Sequence, residues 1–242
     1  MSAFPGGTSL SHLDVYDSAA GDGVCGGSPH LHLVSTEAYV VIAGEGALQT
    51  IDGDGFRETP LRAGTVVWFT PGTIHRAVNR GGLRVVVLMS NAGLPEAGDA
   101  VMTFPAEIVA DAAAYAEAAS LGDDDEGRAG RAQRRRDLAV AGFDVLRDAL
   151  LTGDRAPLDA FMAASAALVR ERAAGWAELV RRGPLADAQR SIALAEAIAA
   201  GERRHLDGAR VHEAAASVGN RRYGMCGLLR TYDVTSDAKE QK

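Results

Sequence analysis

The pattern of hydrophobic and polar positions changes near residue 105, and each half of the chain has its own period. From about Leu13 to Ser90 the chain consists of short apolar runs that are separated by glycine-rich turns. The runs are rich in β-branched and aromatic residues and lie at residues 39–42, 48–51, 66–69 and 85–88. Short strands at regular spacing are typical of an antiparallel barrel or sandwich. We therefore predict an all-β unit over residues 1–105.

After Pro105 the spacing becomes helical. The clearest apolar stripe runs from Leu158 to Val180 in steps of three or four residues, which places these side chains on one face of a helix. Gly183 and Pro184 are predicted to end this helix, and Pro184 to begin the next one. Further helices are predicted over residues 106–119, 138–149, 185–200 and 202–216. We interpret residues 106–242 as an all-α helical region that serves as a lid or a dimerisation element, with a frayed tail from about residue 237.

The composition disfavours several classes of protein. The 242 residues carry 25 basic and 32 acidic side chains, and the resulting formal charge of −7 argues against a general nucleic-acid binder. No apolar run approaches the roughly 18–20 residues that cross a bilayer, and the first residues do not have the pattern of a signal peptide. Two cysteines about 200 positions apart do not make a disulfide framework. We therefore expect a cytoplasmic protein whose partners include neither a membrane nor a nucleic acid, with DNA binding kept as an alternative.

The chain has six histidines, and three of the four in the β half lie at positions that indicate one shared site. His30 and His32 are two residues apart, so on a strand their side chains point to the same side. Residues 34–36 can turn the chain so that Glu37 opens the next strand and also points inward, and His75 follows a Pro-Gly turn on a third strand. Three imidazoles and one carboxylate suit a divalent first-row metal. A six-coordinate ion would keep two positions open, which is typical of a catalytic site.

These residues resemble the two motifs of the cupin superfamily. The first motif is matched by His30-x-His32-x4-Glu37-x6-Gly44, and the second by Gly64-x6-Pro71-Gly72-x2-His75-x3-Asn79. The resemblance covers about the first 105 residues and implies a β barrel of the double-stranded β-helix, or jelly-roll, type. It also implies His30, His32, Glu37 and His75 as ligands of one divalent first-row transition metal inside the barrel. Iron is favoured as that metal, and manganese, nickel, zinc and copper are alternatives.

Other side chains have functional and structural interpretations side by side. Tyr39 alternates with Glu37 and should face the cavity, where it is either a candidate catalytic residue or a core aromatic. Asn79 is interpreted as a turn or hydrogen-bonding residue. The arginines between residues 128 and 136 follow an acidic linker at 123–126, and we interpret them as a solvated helix face that balances its charge.

Three functions remain open from the sequence. Family resemblance favours a metal-dependent enzyme that acts on a small molecule, with a mononuclear non-haem dioxygenase ahead of the alternatives. A metal-dependent isomerase, epimerase or lyase would use the ion as a Lewis acid on a sugar-like or carbonyl substrate. A non-catalytic regulator that senses a ligand is the third alternative. Because barrels of this type often pair through an exposed sheet edge, we also expect a homodimer.

Overall fold

The computed structural model describes residues 4–217 and 221–234. The tail that is predicted to begin at about residue 237 lies outside these described residues. Within them, the longest apolar stretch of any helix is too short or too polar to span a bilayer.

The first part of the chain is an antiparallel β barrel, as predicted. Its strands are β1 (Ser9–Val15), β2 (His30–His32), β3 (Glu37–Asp52), β4 (Gly55–Arg62), β5 (Val66–Phe69), β6 (Ile74–Met89) and β7 (Ala100–Met102). The two long strands, β3 and β6, pair along almost their whole length. The first half of β3 also pairs with β5, and its second half pairs with β4. Both long strands therefore contribute to two regions of the sheet.

Bulges divide β3 into these two halves. Its register with β6 shifts at three points between Val41 and Gly46. Gly44 has a φ of 73°, a left-handed conformation that favours glycine. A Cβ atom on Gly46 would lie 2.0 Å from the carbonyl oxygen of Val78, so only glycine allows the strands to approach this closely. Irregular backbone of this kind lets a long strand bend and close a barrel.

Alternation along the strands separates two hydrophobic cores. The inside of the barrel holds one core, whose buried members include Tyr39, Val41, Leu48, Leu61 and Val85. The side chains that point the other way from part of the sheet form a second core with the helices. That second core includes Leu31, Ile51, Ile74 and Val101 from the sheet together with Phe143, Leu146, Leu158 and Phe161 from the helices. The sheet therefore has a helical layer on one outer face.

The helices follow the barrel in the chain. They are α1 (Ala106–Val109), α2 (Ala112–Ala119), α3 (Arg128–Leu151), α4 (Ala156–Ala173), α5 (Trp176–Val180) and α6 (Ala186–Ala199). Leu158, Val169 and Trp176 of the predicted apolar stripe are buried, so these positions face a core as predicted. Ala166 of the same stripe is exposed, so the stripe is not buried along its whole length. Tertiary packing of that face supplies most of the stability of such helices.

The predicted helix end at Gly183 and Pro184 and the predicted helix over 202–216 are both wrong. The helix that carries the apolar stripe is already interrupted at Ala174 and Gly175. At Pro184 the chain remains helical, because it continues from α5 into α6 through a π-helical stretch, Arg181–Leu185. A wider π turn accommodates a residue that lacks a backbone donor. The predicted helix over 202–216 is only a 3₁₀ turn at Arg204–Gly208. Its residues are largely exposed, so no packed face stabilises a helix there.

The end of the helical region returns to the barrel. β8 (Arg222–Tyr223) and β9 (Gly227–Thr231) form a short hairpin, and β9 pairs antiparallel with β1 over Ser11 to Val15. Two such short strands do not carry enough residues to show a strand period in the sequence. Residues 106–199 are the part of the region in which helices predominate.

The interpretation of the arginines as a solvated face holds for only part of that segment. Arg128 and Arg131 form ion pairs with Asp125 and Asp124 of the acidic linker. Arg135 and Arg136 are instead buried. Arg135 donates to the carbonyl of Gly224 at 2.7 Å, and Arg136 donates to the carbonyl of Gly26 at 3.1 Å. These two side chains tie α3 to the loops on either side of it because buried guanidinium groups need acceptors.

The contact between α3 and the barrel yields a prediction with opposite signs at two glycines of one helix. A Cβ on Gly142 would lie 2.0 Å from the carbonyl oxygen of Thr103, so Gly142→Ala should lower the free energy of unfolding by about 1–3 kcal/mol. Gly130 of the same helix has no such close neighbour, and Gly130→Ala should raise it by up to about 1 kcal/mol. Denaturant unfolding measures both. A stabilising Gly142→Ala would contradict the close approach.

Candidate metal centre

His30 and His32 lie on the short strand β2 and point into the barrel. Leu31 between them points to the opposite side, where it joins the core under the helices. The two imidazole rings have their centroids 5.2 Å apart and meet edge to face. Period-two alternation therefore places both rings at one site, as the sequence predicts.

Glu37 and His75 join the two histidines from the long strands. Glu37 is the first residue of β3, and His75 is the second residue of β6. His75 pairs directly with His30 across β2 and β6, so both rings share the inner face of the sheet. The turn at residues 33–36 breaks the strand alternation between β2 and β3. Glu37 therefore points inward although its spacing of five residues from His32 is odd.

The four predicted ligands come together in the structure. One potential ligand atom from each of His30, His32, Glu37 and His75 lies within 4.8 Å of the others. Glu37 Oε2 is 3.2 Å from His32 Nε2 and 3.2 Å from His75 Nε2. All four side chains are buried. Among the described residues, this is the only group of three or more such side chains that could hold a metal ion.

The donor set fits a cation. Glu37 Oε2 and His75 Nε2 are buried, and neither has a hydrogen-bond partner among the described residues. A buried polar atom without a partner costs about 1–3 kcal/mol, and more when it is charged. A divalent ion between these atoms would satisfy both. Three nitrogen donors and one carboxylate oxygen are ligands that first-row metals accept.

Acceptors behind the histidines fix the orientation of the rings. His30 Nδ1 is 2.9 Å from the carbonyl oxygen of Ser28, and His75 Nδ1 is 3.2 Å from that of Thr73. A carbonyl oxygen accepts a hydrogen bond only from a nitrogen that carries a proton, so in the neutral ring Nδ1 is protonated. Nε2 of each ring is then unprotonated and free to bind a metal. Metal-binding histidines are usually oriented in this way.

Asp99, which the sequence pattern does not indicate, lies behind His32. Its Oδ2 lies 3.5 Å from His32 Nδ1. The carboxylate also accepts hydrogen bonds from the backbone N–H groups of Leu33, Val34 and Ser35, which hold the turn between β2 and β3. Asp99 therefore forms a close ionic contact with one ligand and shapes the turn that leads to another. It lies far along the chain, one residue before β7 and outside both motifs, so no local spacing could indicate it.

The electrostatics favour an ionised carboxylate in the centre. Burial opposes ionisation of Glu37, but His75 and His32 overcome this effect and hold its pKa well below the usual range. Burial lowers the pKa of His30, and the neighbouring histidines lower it further. Burial alone would also lower the pKa of His32, but Asp99 and Glu37 raise it to about 9. The site thus concentrates negative charge where a cation would bind.

Tyr39 lies inside the barrel, as predicted, on the same face as Glu37. It is fully buried, and its ring meets that of Phe69 edge to face at 5.4 Å. Its hydroxyl is 3.6 Å from the Sγ atom of Cys226, which comes from the loop before β9. Burial raises the pKa of Tyr39 well above its usual value, and burial also raises the pKa of the Cys226 thiol to about 12. A catalytic role for Tyr39 remains a prediction.

Asn79 has the hydrogen-bonding role that the sequence predicts. Its side-chain oxygen accepts from the backbone N–H groups of Gly81 and Leu83, and its amide donates to the carbonyl of Val15. The side chain thus holds the bend of β6 against β1 rather than contacting the candidate metal ligands.

Comparisons with known proteins give one family match and several similar solved structures. Residues 20–91 match the family model described as Cupin domain. One similar solved structure is Pac13 from Streptomyces, described as a nucleoside dehydratase, with 16% identity over 39% of this chain and 66% of that chain and a TM-score of 0.30. A Klebsiella pneumoniae protein with a double-stranded β-helix domain has 22% identity over 34% of this chain and 62% of that chain, with a TM-score of 0.25. An oxalate oxidase in complex with glycolate has 21% identity over 36% of this chain and 51% of that chain, with a TM-score of 0.25. The matched part is less than two thirds of each of those chains. No curated protein matches the sequence.

The ligand set and its support predict graded losses of metal affinity. His32→Ala removes a ligand and should abolish stoichiometric binding of a first-row metal. Asp99→Asn keeps every ligand but weakens the orientation of His32, so metal affinity should fall by about 10- to 100-fold. Competition with a chromophoric chelator measures both affinities.

Asp111→Asn is the matched control, because Asp111 also accepts two backbone N–H groups, at the start of α2. It should leave metal affinity unchanged. Wild-type metal content in purified His32→Ala protein would refute the assignment of this ligand.

Proposed function

The barrel of this chain belongs to the cupin superfamily, and on that premise we propose that the protein is a metal-dependent enzyme that acts on a small molecule. Within that class we favour a mononuclear non-haem dioxygenase with iron as its metal. The observation that supports the proposal most directly is the convergence of three imidazoles and one carboxylate in a buried site.

The side chains around the centre would hold and orient a bound ion. His30, His32, Glu37 and His75 would provide four ligand atoms, and an ion of higher coordination number would keep positions open for substrate and oxygen. When bound, a redox-active metal would mediate electron transfer from the substrate to dioxygen, and any divalent metal would polarise an oxygen donor of the substrate. The apolar interior around Tyr39, which the ligands adjoin, would keep bulk water away from the reacting groups.

The surroundings of the ligands favour an oxygenase over an isomerase, epimerase or lyase. An isomerase needs a side chain that takes a proton from the substrate and returns it. Glu37 is occupied as a ligand in this proposal, and Asp99 is held by three backbone N–H groups. Tyr39 is fully buried, and its hydroxyl contacts the thiol of Cys226. None of the three is therefore arranged to exchange protons with a substrate.

We further propose that the protein forms a homodimer through the outer face of the barrel that the helices do not cover. Val66 and Trp68 of β5 alternate with inward residues and are exposed on this face, and Ile42 of β3 is exposed beside them. Clustered large apolar side chains on a surface are typical of an interface. Homodimers are the commonest symmetric assemblies.

The dimer proposal predicts that Trp68→Lys yields a monomer, because a charged side chain would have to be desolvated in the interface. Light scattering coupled to size exclusion measures the mass of each form. An exposed substitution on the helical side, Arg134→Ala, should leave the dimer intact. A monomeric wild-type chain would contradict the proposal.

Metal identity and access of a diatomic molecule test the oxygenase proposal. Protein purified anaerobically from its native host, without chelator, should contain about one iron per chain. Because positions on the ion would remain open, nitric oxide, a stand-in for dioxygen, should give the EPR signal of an iron–nitrosyl centre. The His75→Ala variant should give neither iron nor signal.

Two results would contradict the oxygenase. One is a redox-inactive native metal such as zinc, and the other is turnover of a substrate that continues equally well without oxygen. Either result would leave the metal centre itself in place and would favour the isomerase, epimerase or lyase class.

A further inference from the structure

A groove lies between α2 and α3, and none of the candidate metal ligands lines it. Its volume is about 850 Å³, which suits a small organic molecule. Its apolar lining includes Ile108 of α1, Ala114 and Ala118 of α2, and Leu138 of α3. Charged side chains of α3 line it as well. The groove therefore combines an apolar surface with a charged one, at a place that the proposed function does not use.

The spacing of residues on the two helices explains why a groove exists here. Ala114 and Ala118 are four residues apart, so they lie on one face of α2. Arg131, Arg135 and Leu138 follow one another in steps of four and three residues on the facing side of α3. The distance between packed helices depends on the side chains at their contact. Long arginine side chains opposite small alanines leave space between the two helices.

The positive charge of the groove is concentrated at Arg135. Arg131 pairs with Asp124 at 3.0 Å, and Arg134 and Glu117 are exposed residues of the same lining. These two cations and two anions leave Arg135 as the charge in excess. Only 8% of Arg135 is exposed, so water screens its charge less than it screens the others.

The hydrogen bonds of Arg135 leave part of its guanidinium without a partner. Nη2 donates to the carbonyl of Gly224 at 2.7 Å, and Nη1 lies 3.5 Å from the carbonyl oxygen of Ala119, near the limit for a hydrogen bond. The buried Nε atom has no partner among the described residues. A guanidinium has five N–H donors, so its hydrogen-bonding capacity is not used up.

No carboxylate compensates this charge in the part of the chain that the structure describes. Burial lowers the pKa of Arg135, and the neighbours that most oppose this effect are two phenols and a thiol, from Tyr16, Tyr115 and Cys226. Such groups are neutral at pH 7, and the pKa values of Tyr16 and Cys226 are themselves raised to about 12. A buried charge without an opposite charge is costly. The groove thus favours a ligand that brings one negative charge.

We propose that the groove between α2 and α3 is a binding site for a small amphipathic monocarboxylate. The carboxylate pairs with the guanidinium of Arg135, a charge-assisted contact that carboxylates favour. The hydrocarbon or aromatic part lies on Ala114, Ala118 and Leu138, where it removes apolar surface from water. The site is separate from the metal centre, so it goes beyond the proposed function and does not depend on it.

The simplest alternative is that Arg135 only ties α3 to the loop at Gly224. The chain provides a matched control, because Arg136 is the next residue of α3, is also buried and ties the helix to the carbonyl of Gly26. Arg136 does not line the groove. Loss of a structural tie should affect both arginines alike, whereas loss of a ligand contact should affect only Arg135.

The test is calorimetric titration of the full chain with two monocarboxylates, octanoate and phenylacetate. At least one acid should bind the wild type, and its uncharged amide should bind about tenfold more weakly or worse. Acetate, which has the charge without the apolar part, should also bind at least about tenfold more weakly. Arg135→Gln should weaken binding of the acid about tenfold or more and remove its preference over the amide. Arg136→Gln should change it less than about threefold.

A second pair of variants leaves both arginines in place and decides the question even where Arg135→Gln fails to fold. Ala114→Leu fills the groove and should weaken binding of the acid about tenfold or more. Ala113→Leu is its control, because Ala113 is exposed on α2 and does not line the groove. Leucine is a good helix former, so both variants should keep the helical circular dichroism of the wild type.

Four results would overturn the inference. The wild type binds neither acid, the amide or acetate binds as tightly as the acid, Ala114→Leu binds the acid as tightly as the wild type, or Arg136→Gln weakens binding as much as Arg135→Gln. None of these results bears on the metal centre, whose own tests use metal content and metal affinity.

Discussion

The structure depends on the burial of one carboxylate and three imidazoles at a single point inside an apolar barrel. Glu37, His30, His32 and His75 come from three strands, and each is almost completely removed from solvent. Burial of ionisable groups is costly unless they are paired or coordinate a metal. The backbone carbonyls behind His30 and His75 satisfy only the outer nitrogens of those rings. The inner atoms converge, and a cation is the partner that this convergence suits.

The rest of the fold positions that point. Bulges at Gly44 and Gly46 bend β3, so that Glu37 from one half meets His75 opposite the other half. Asp99 holds the turn between His32 and Glu37 while it faces the His32 ring. The helices cover one outer face of the sheet, and the loop before β9 places Cys226 beside Tyr39.

The sequence predicted the features that depend on short-range periodicity. The four metal ligands are predictable because strand alternation and turn residues place them within a few positions of a strand start. The hydrogen-bonding role of Asn79 is predictable because this residue lies a few positions after the Pro71-Gly72 turn. Asp99, β9 and the buried Arg135 and Arg136 depend on contacts between distant parts of the chain, for which a single sequence carries no local pattern. The prediction of a helix end at Pro184 is wrong because the chain accommodates this proline in a π-helical turn and remains helical.

An anomalous difference map from a crystal of the metal-loaded protein, recorded at the absorption edge of the bound metal, tests the four-ligand metal centre most directly. We expect one peak inside the barrel, at about 2.0–2.2 Å from nitrogens of His30, His32 and His75 and an oxygen of Glu37. A map with no peak among these four side chains, or with the peak bound by other residues, would contradict it.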